Sequence, residues 1–170
     1  SRPSATSHAN PTSRTMVGIA LYTDGSAKGN PGPGGYGTIL QSGSHEKELS
    51  KGYRLTTNNR MELMAVVAGL EALKPPRCRV HVVSDSKYVV NAFNEGWMEN
   101  WKRRRFAKVK NVDVWKRLLK AMEGHDVTFE WVKGHASHPQ NERCDQLAVK
   151  AAESPTDIDQ GYEASQQLSL

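Results

Sequence analysis

The sequence predicts an α/β domain: a mixed five-stranded sheet, with a three-strand antiparallel meander followed by two parallel strands, flanked by helices. Two observations carry this. Three strand-like runs come first, separated only by turn chemistry, the pattern of strands paired with their neighbours. Strand and helix patterns then alternate, which is the order that builds parallel strands with covering helices.

The elements follow in turn. Ile19 to Thr23 is an apolar run of strand formers that stops at Asp24-Gly25. Asn30-Pro31-Gly32-Pro33-Gly34-Gly35 is loop chemistry. Tyr36 to Gln41 and His45 to Tyr53 read as the second and third strands, joined by the turn Ser42-Gly43-Ser44. Thr57 and Asn58 are N-cap residue types, and a helix is expected from there to about Lys74, ended by Pro75-Pro76. Arg79 to Ser84 reads as a strand and Ser86 to about Glu95 as a helix. Val112 to Glu123 reads as a helix closed by Gly124, Val127 to Val132 as the last strand, and Asn141 to Ala152 as the last helix.

The 170 residues suit one compact domain, placed at residues 16–153. Residues 1–15 are rich in Ser, Thr and Pro and hold no acid, so a disordered tail or an expression remnant is expected there. Met16 suits a native start. From Ser154 to residue 170 the chain is polar and acid-leaning, and a loose tail is expected. These polar ends account for a hydrophobic content of only 37%. Two cysteines, Cys78 and Cys144, make no disulfide framework and suit reduced thiols in a cytoplasmic protein. No apolar run reaches the length of a membrane span and no secretory segment is evident, so no membrane association is expected. No repeated apolar seam suggests an assembly, so a monomer without an obligate protein partner is expected. The net charge of +5 favours a polyanionic partner, though only weakly.

Four acids stand in places poorly suited to solvent. Asp24 and Asp85 each end an apolar strand, at the sheet rim where α/β proteins build sites. Taken singly, each reads more plainly as a turn residue or helix N-cap. Glu62 is the only charge in Met61 to Leu70, a stretch apolar almost all round and hence buried. A carboxylate there needs a partner, unless it is simply a first-turn acid favoured by the helix dipole. Asp145 borders the stripe Cys144, Leu147, Ala148 and Ala151, and its plain reading is a boundary acid paired with a cation. One hypothesis covers all four: carboxylates clustered at a sheet edge repel each other until a hard cation such as Mg²⁺ relieves them. In a basic protein, metal can then bridge acid to phosphate.

The motifs resemble those of type 1 ribonuclease H of the bacterial kind. Tyr22-Thr23-Asp24-Gly25-Ser26 and Gly29 to Gly37 resemble its opening, and Thr56-Thr57-Asn58-Asn59-Arg60-Met61-Glu62-Leu63 its second motif. Ser84-Asp85-Ser86 with Tyr88-Val89 is similar to the third. Trp131 to Ala136, His138-Pro139 and Asn141 to Asp145 are similar to the last. The likeness runs from about residue 17 to 152 with order and spacing kept. It implies a ribonuclease H-like fold and an endoribonuclease that hydrolyses the RNA strand of RNA–DNA hybrids, leaving 5′-phosphate and 3′-hydroxyl ends. It also implies two Mg²⁺ ions, with Mn²⁺ able to substitute. Asp24 would bridge both ions, Glu62 and Asp85 would complete one site, and Asp145 the other. His135 matches a mobile histidine that assists proton transfer or product release, a task its ordinary pKa suits; without the resemblance it reads as a solvated loop residue. Gly25, Asn30, Thr57, Asn58, Asn59 and Asn141 match positions near the substrate, with Gly25 allowing close approach of the RNA strand. The amides of Asn58 and Asn59 can address a 2′-hydroxyl, which both gives and takes hydrogen bonds.

The segment Trp101 to Lys110 is dense in cations, with aromatics interleaved. A solvated helix face is the plainer reading of such a run. Here it resembles the basic protrusion by which the family grips the DNA strand, with Lys102, Arg103, Arg104 and Arg105 as phosphate contacts. Trp97 and Trp101, one turn apart, either join that surface or pack the base of the helix, packing being the better reading. The sequence departs from the family pattern twice. Arg105 to Asn111 is shorter than in well-known bacterial members, and Lys87 stands where glutamine is common, able to touch phosphate or disturb the metal field. A zinc site from His135, His138, Cys144 and Cys78 is set aside because its spacing matches no common ligand pattern. Two other readings remain: a non-catalytic hybrid-binding module, and an integrase-type nuclease of the same fold.

Overall fold

The computed structural model describes residues 16–74, 76–134 and 138–168. The expectations for residues 1–15 and for His135 lie outside the described residues. Five strands form one sheet: β1 (Val17–Ala27), β2 (Gly32–Ser42), β3 (His45–Thr56), β4 (Cys78–Ser84) and β5 (Asp126–Trp131), in the order β3-β2-β1-β4-β5. β1, β2 and β3 pair antiparallel, while β4 pairs parallel with both β1 and β5. The expected mixed sheet is therefore the observed one.

Among the described residues six helices accompany the sheet: α1 (Asn58–Glu71), α2 (Lys87–Asn94), α3 (Trp97–Arg103), α4 (Val112–Met122), α5 (Pro139–Glu153) and α6 (Gln160–Leu168). Thr57 caps α1 by accepting from the Arg60 amide, and Ser86 caps α2 by accepting from the Val89 amide. Apolar residues of β1, β4, α1, α2 and α4 make the main core, including Leu21, Val80, Val82, Leu63, Val66, Val67, Val89, Trp115 and Leu118. α5 lies against β1, β2 and β3. Gly35 and Gly37 permit that approach, since a Cβ on Gly37 would stand 2.2 Å from the Cys144 carbonyl oxygen and one on Gly35 2.7 Å from that of Ala148. Among the described residues no helix is long and apolar enough to cross a membrane.

Three expectations need correction. β1 does not stop at Asp24 but runs on to Ala27, still paired with β2. The glycines at 32, 34 and 35 belong to β2 rather than to a loop: Gly32 is closed in by the Lys28 carbonyl of the preceding turn, whereas Gly34 and Gly35 are required by the close approach of neighbouring elements. The chain after Ser154 is not loose. The Thr156 and Asp157 amides donate to the Gly52 carbonyl and the Arg54 amide donates to that of Asp157, so the segment covers part of β3 before forming α6. Its acids find cations that are remote in sequence: Arg60 for Asp159 and Arg54 for Glu163.

Candidate active site at the sheet rim

β1 and β4 run side by side until Thr23 pairs with Ser84, and the next residue of each strand is an acid, Asp24 and Asp85. Beyond that point β1 continues with β2, whereas β4 turns into α2, so the two strands part at the carboxylates. Such a parting at the carboxyl ends of parallel strands is where open α/β sheets hold ligands. Asn141, in the first turn of α5, sits behind the fork. Its buried side-chain amide donates to the Val83 carbonyl at 3.0 Å and, at 3.5 Å, to that of Thr23.

Glu62 comes from α1, past its first turn, so favour from the helix dipole does not explain it. Gly25 brings it in. A Cβ there would lie 2.3 Å from the Glu62 amide nitrogen, so only glycine lets α1 approach β1 closely enough for Glu62 to reach Asp24. This helix contact requires a glycine at position 25 whether or not the RNA strand approaches it. Asp24, Glu62 and Asp85 each offer an oxygen within 4.8 Å of the others. Asp145, on α5, is near enough for its charge to act on Asp24, although the close cluster is formed by the other three acids.

The electrostatics of this arrangement are unfavourable by themselves. Asp24 and Glu62 are each only 6% exposed, and one Glu62 oxygen, Oε1, is buried with no hydrogen-bond partner. Burial first, then the charges of Asp85 and Asp145, pushes the Asp24 carboxyl up to about 8, against a small opposing pull from the Gly25 amide. Burial, then Asp24 and Asp85, likewise holds Glu62 well above the usual carboxylate range. Carboxylate oxygens that repel one another, one of them orphaned, suit a hard divalent cation in number and in kind.

The other candidate residues surround this rim unequally. Asn30 is exposed, and its Oδ1 accepts from the Asn58 amide, tying the β1–β2 turn to the start of α1; Asn59 is exposed beside it. Lys102, Arg103, Arg104 and Arg105 are all exposed. Trp101 is half-buried and packs edge-on against the buried Trp115 at 5.0 Å, while Trp97 is 37% exposed. Arg105, Phe106 and Lys108 have positive φ, and these left-handed residues curl the short basic segment into α4. Lys87 is exposed at the start of α2, with its ammonium 4.7 Å from the centre of the Trp131 ring. Sequence reasoning gave Trp131 no role, yet its indole N–H donates to the Asp85 carbonyl at 3.0 Å. The signal available was a bulky aromatic ending a strand whose alternate residues, Thr128 and Glu130, are polar. A cleft of about 670 Å³ between α1, α4, β3 and the C-terminal segment holds none of the four acids.

An acid cluster on an open rim, with exposed cations beyond it, is the setting of a metal-dependent enzyme of phosphate esters. Comparison with known proteins narrows the class. Residues 17–153 match the RNase H family. The chain is 54% identical over 154 residues to the ribonuclease H of Proteus mirabilis, covering 88% of this chain and 96% of that one. Among solved structures it resembles LC9-RNase H1, a type 1 RNase H with the type 2 active-site motif, at 32% identity and a TM-score of 0.76, over 83% of this chain and 74% of that chain. It also resembles LC11-RNase H1 in complex with an RNA/DNA hybrid, at 26% identity and a TM-score of 0.63, over 79% of this chain and 96% of that chain. The chain belongs to the ribonuclease H family, in its bacterial type 1 form. It is thus a metal-dependent endoribonuclease that acts on RNA–DNA hybrids.

Proposed function

We propose that this protein hydrolyses the RNA strand of the hybrid by a two-metal-ion mechanism, with Asp24, Glu62, Asp85 and Asp145 as the metal-binding carboxylates and Mg²⁺ as the metal. One observation carries the reading: three carboxylates from three elements converge within 4.8 Å, two of them buried, at the fork between β1 and β4. Divalent ions there would supply an activated water and a counter-charge for the departing 3′-oxygen, leaving a 5′-phosphate on the product.

The chain's own residues do the rest. Asp24 would serve both ions, Glu62 and Asp85 one of them and Asp145 the other, a division the close grouping of the first three supports. Asn141 is a positioning residue: its Nδ2 donates to backbone carbonyls and holds the strand ends that aim Asp24 and Asp85, leaving its buried Oδ1 without a partner. Asn58 and Asn59, with Thr57 and Asn30 bracing them, address the 2′-hydroxyls and so select RNA. Lys102, Arg103, Arg104 and Arg105 take phosphates of the DNA strand without reading sequence, and Trp97 borders that surface. His135 is assigned to proton transfer on its motif alone.

The test is cleavage of a labelled hybrid in Mg²⁺, in Mn²⁺ and in EDTA, beside duplex DNA, duplex RNA and single-stranded RNA. Metal-dependent loss of only the hybrid's RNA strand is expected. Folded protein that binds hybrid but never cuts it would replace this reading with a non-catalytic module, and cleavage of duplex DNA would point to an integrase-type nuclease.

A further inference from the structure

Trp131 ends β5 opposite Ser84, on the same rim as the carboxylates, and is 40% exposed. A large aromatic left this open on a strand end is not explained by core packing. Both of its interacting features are nevertheless in use, and both are spent on the junction between β4 and α2. The indole N–H holds the carbonyl of Asp85, and the ring face holds the ammonium of Lys87 two residues later. Just beyond Trp131, Gly134 packs so closely on Asp85 that a Cβ would stand 2.8 Å from Oδ2. The end of β5 thus braces Asp85 at its main chain and beside its carboxylate.

A lysine on a flexible stem ordinarily loses much rotamer freedom on meeting a phosphate. One already resting on an aromatic face has lost part of it beforehand, and the ring attracts the ammonium without neutralising it. Its place next to Asp85 is where the backbone of a strand under cleavage must pass. We propose that Trp131 is a positioning residue of the cleavage centre, holding the Lys87 ammonium on its ring face as a contact for a substrate phosphate and fixing the Asp85 main chain through its indole N–H. This rests on the ribonuclease reading of the same rim.

Two substitutions separate the two contacts. W131Q removes the ring face but keeps a side-chain donor, and W131F keeps a ring face but removes the donor. Hybrid binding is measured without metal, by fluorescence anisotropy over a range of salt. K87M is expected to lower the slope of log affinity against log salt by roughly 0.7–0.9, the loss of one phosphate contact, and to raise KM more than it lowers kcat. W131Q should lose most of the same slope, and combining it with K87M should add little. W131F should keep the slope but need severalfold more Mg²⁺ for half-saturation in calorimetry without substrate. An unchanged slope in K87M or in W131Q overturns the phosphate contact or its platform, and wild-type Mg²⁺ affinity in W131F overturns the brace on Asp85. Circular dichroism checks the fold of each variant; should W131Q fail to fold, a slope loss in W131F as large as that of K87M overturns the platform. Wild-type protein that cannot cut hybrid would sink the ribonuclease reading, whereas a cutting wild type with indifferent variants would sink only this inference.

Discussion

Arg60 and Glu62 stand two residues apart on α1, both buried, and their surroundings are opposite. The Arg60 guanidinium makes two hydrogen bonds to Asp159 and two to Asp113, all between 2.7 and 2.9 Å. Glu62 faces two more acids and leaves Oε1 without a partner. A buried charge that is fully paired within the chain has a structural role, because removing either partner exposes the cost of burying the other. A buried charge set among like charges is stable only with something the chain does not supply. The difference separates the face of α1 that is tied into the fold from the face that leaves a carboxylate unsatisfied.

The largest effect should fall on the acid cluster. D24N or D85N is expected to abolish hybrid cleavage while leaving the fold intact, read by gel assay and circular dichroism on the same preparations. Turnover retained in both would break the comparison at its functional side. Next comes the ion network: D159A should destabilise the protein by about 3 kcal/mol in urea unfolding, the low end for a broken buried pair because Asp113 still holds the guanidinium. An unchanged midpoint would show that Arg60 finds water or another acid.

Opposite pH slopes sharpen the contrast. The Asp24 carboxyl is raised from 3.8 to about 8 in the folded protein, so its contribution favours folding at low pH and is lost as pH rises from about 4 toward 8. Metal-free protein should therefore be stabilised by D24N more at pH 8 than at pH 5, on the order of 2 kcal/mol, and Mg²⁺ should raise the melting temperature of the wild type chiefly at the higher pH. Asp113 behaves conversely. Its hydrogen bonds to Arg60 hold its carboxyl below the usual range, so the stability it contributes is present above about pH 4 and lost as pH falls through the folded value. Equal melting temperatures for wild type and D24N at both pH values would remove the repulsion from the account. The smallest effect concerns the exposed cations. Neutralising Arg103, Arg104 and Arg105 together should weaken hybrid binding and lower its salt slope by roughly 2. An unchanged slope would take these residues off the substrate.

Much of this was visible in residue order alone. The meander and the alternating strands and helices follow from periodicity and turn residues, which are local properties. Glu62 stood out because a lone acid in an apolar helix contradicts its own surroundings. What local reading missed has one cause. The glycines of β2 read as a loop because turns are glycine's commonest use, whereas Gly35 and Gly37 are required by α5 pressing on the sheet and Gly34 by the neighbouring strands. The segment after Ser154 is mostly polar and so resembles a tail; its anchor is charge pairing with Arg60 and Arg54, about 100 positions away. The hydrogen bond from Trp131 to the Asp85 carbonyl spans 46 residues, so the aromatic at the strand end was visible in the sequence but its partner was not.

The sequence by itself determined the five strands, four of the six helices described and their order, because propensity, capping and burial pattern act over a few neighbouring residues; the helices at Trp97–Arg103 and Gln160–Leu168 escaped it, and the four acids, each open to another reading when taken singly, were assigned their metal-binding roles by the resemblance. Only the tertiary structure decided that Asp24, Glu62 and Asp85 converge on one rim and which buried charges are paired. Those depend on how closely α1 and α5 approach the sheet, and that is set by contacts between residues far apart in the chain.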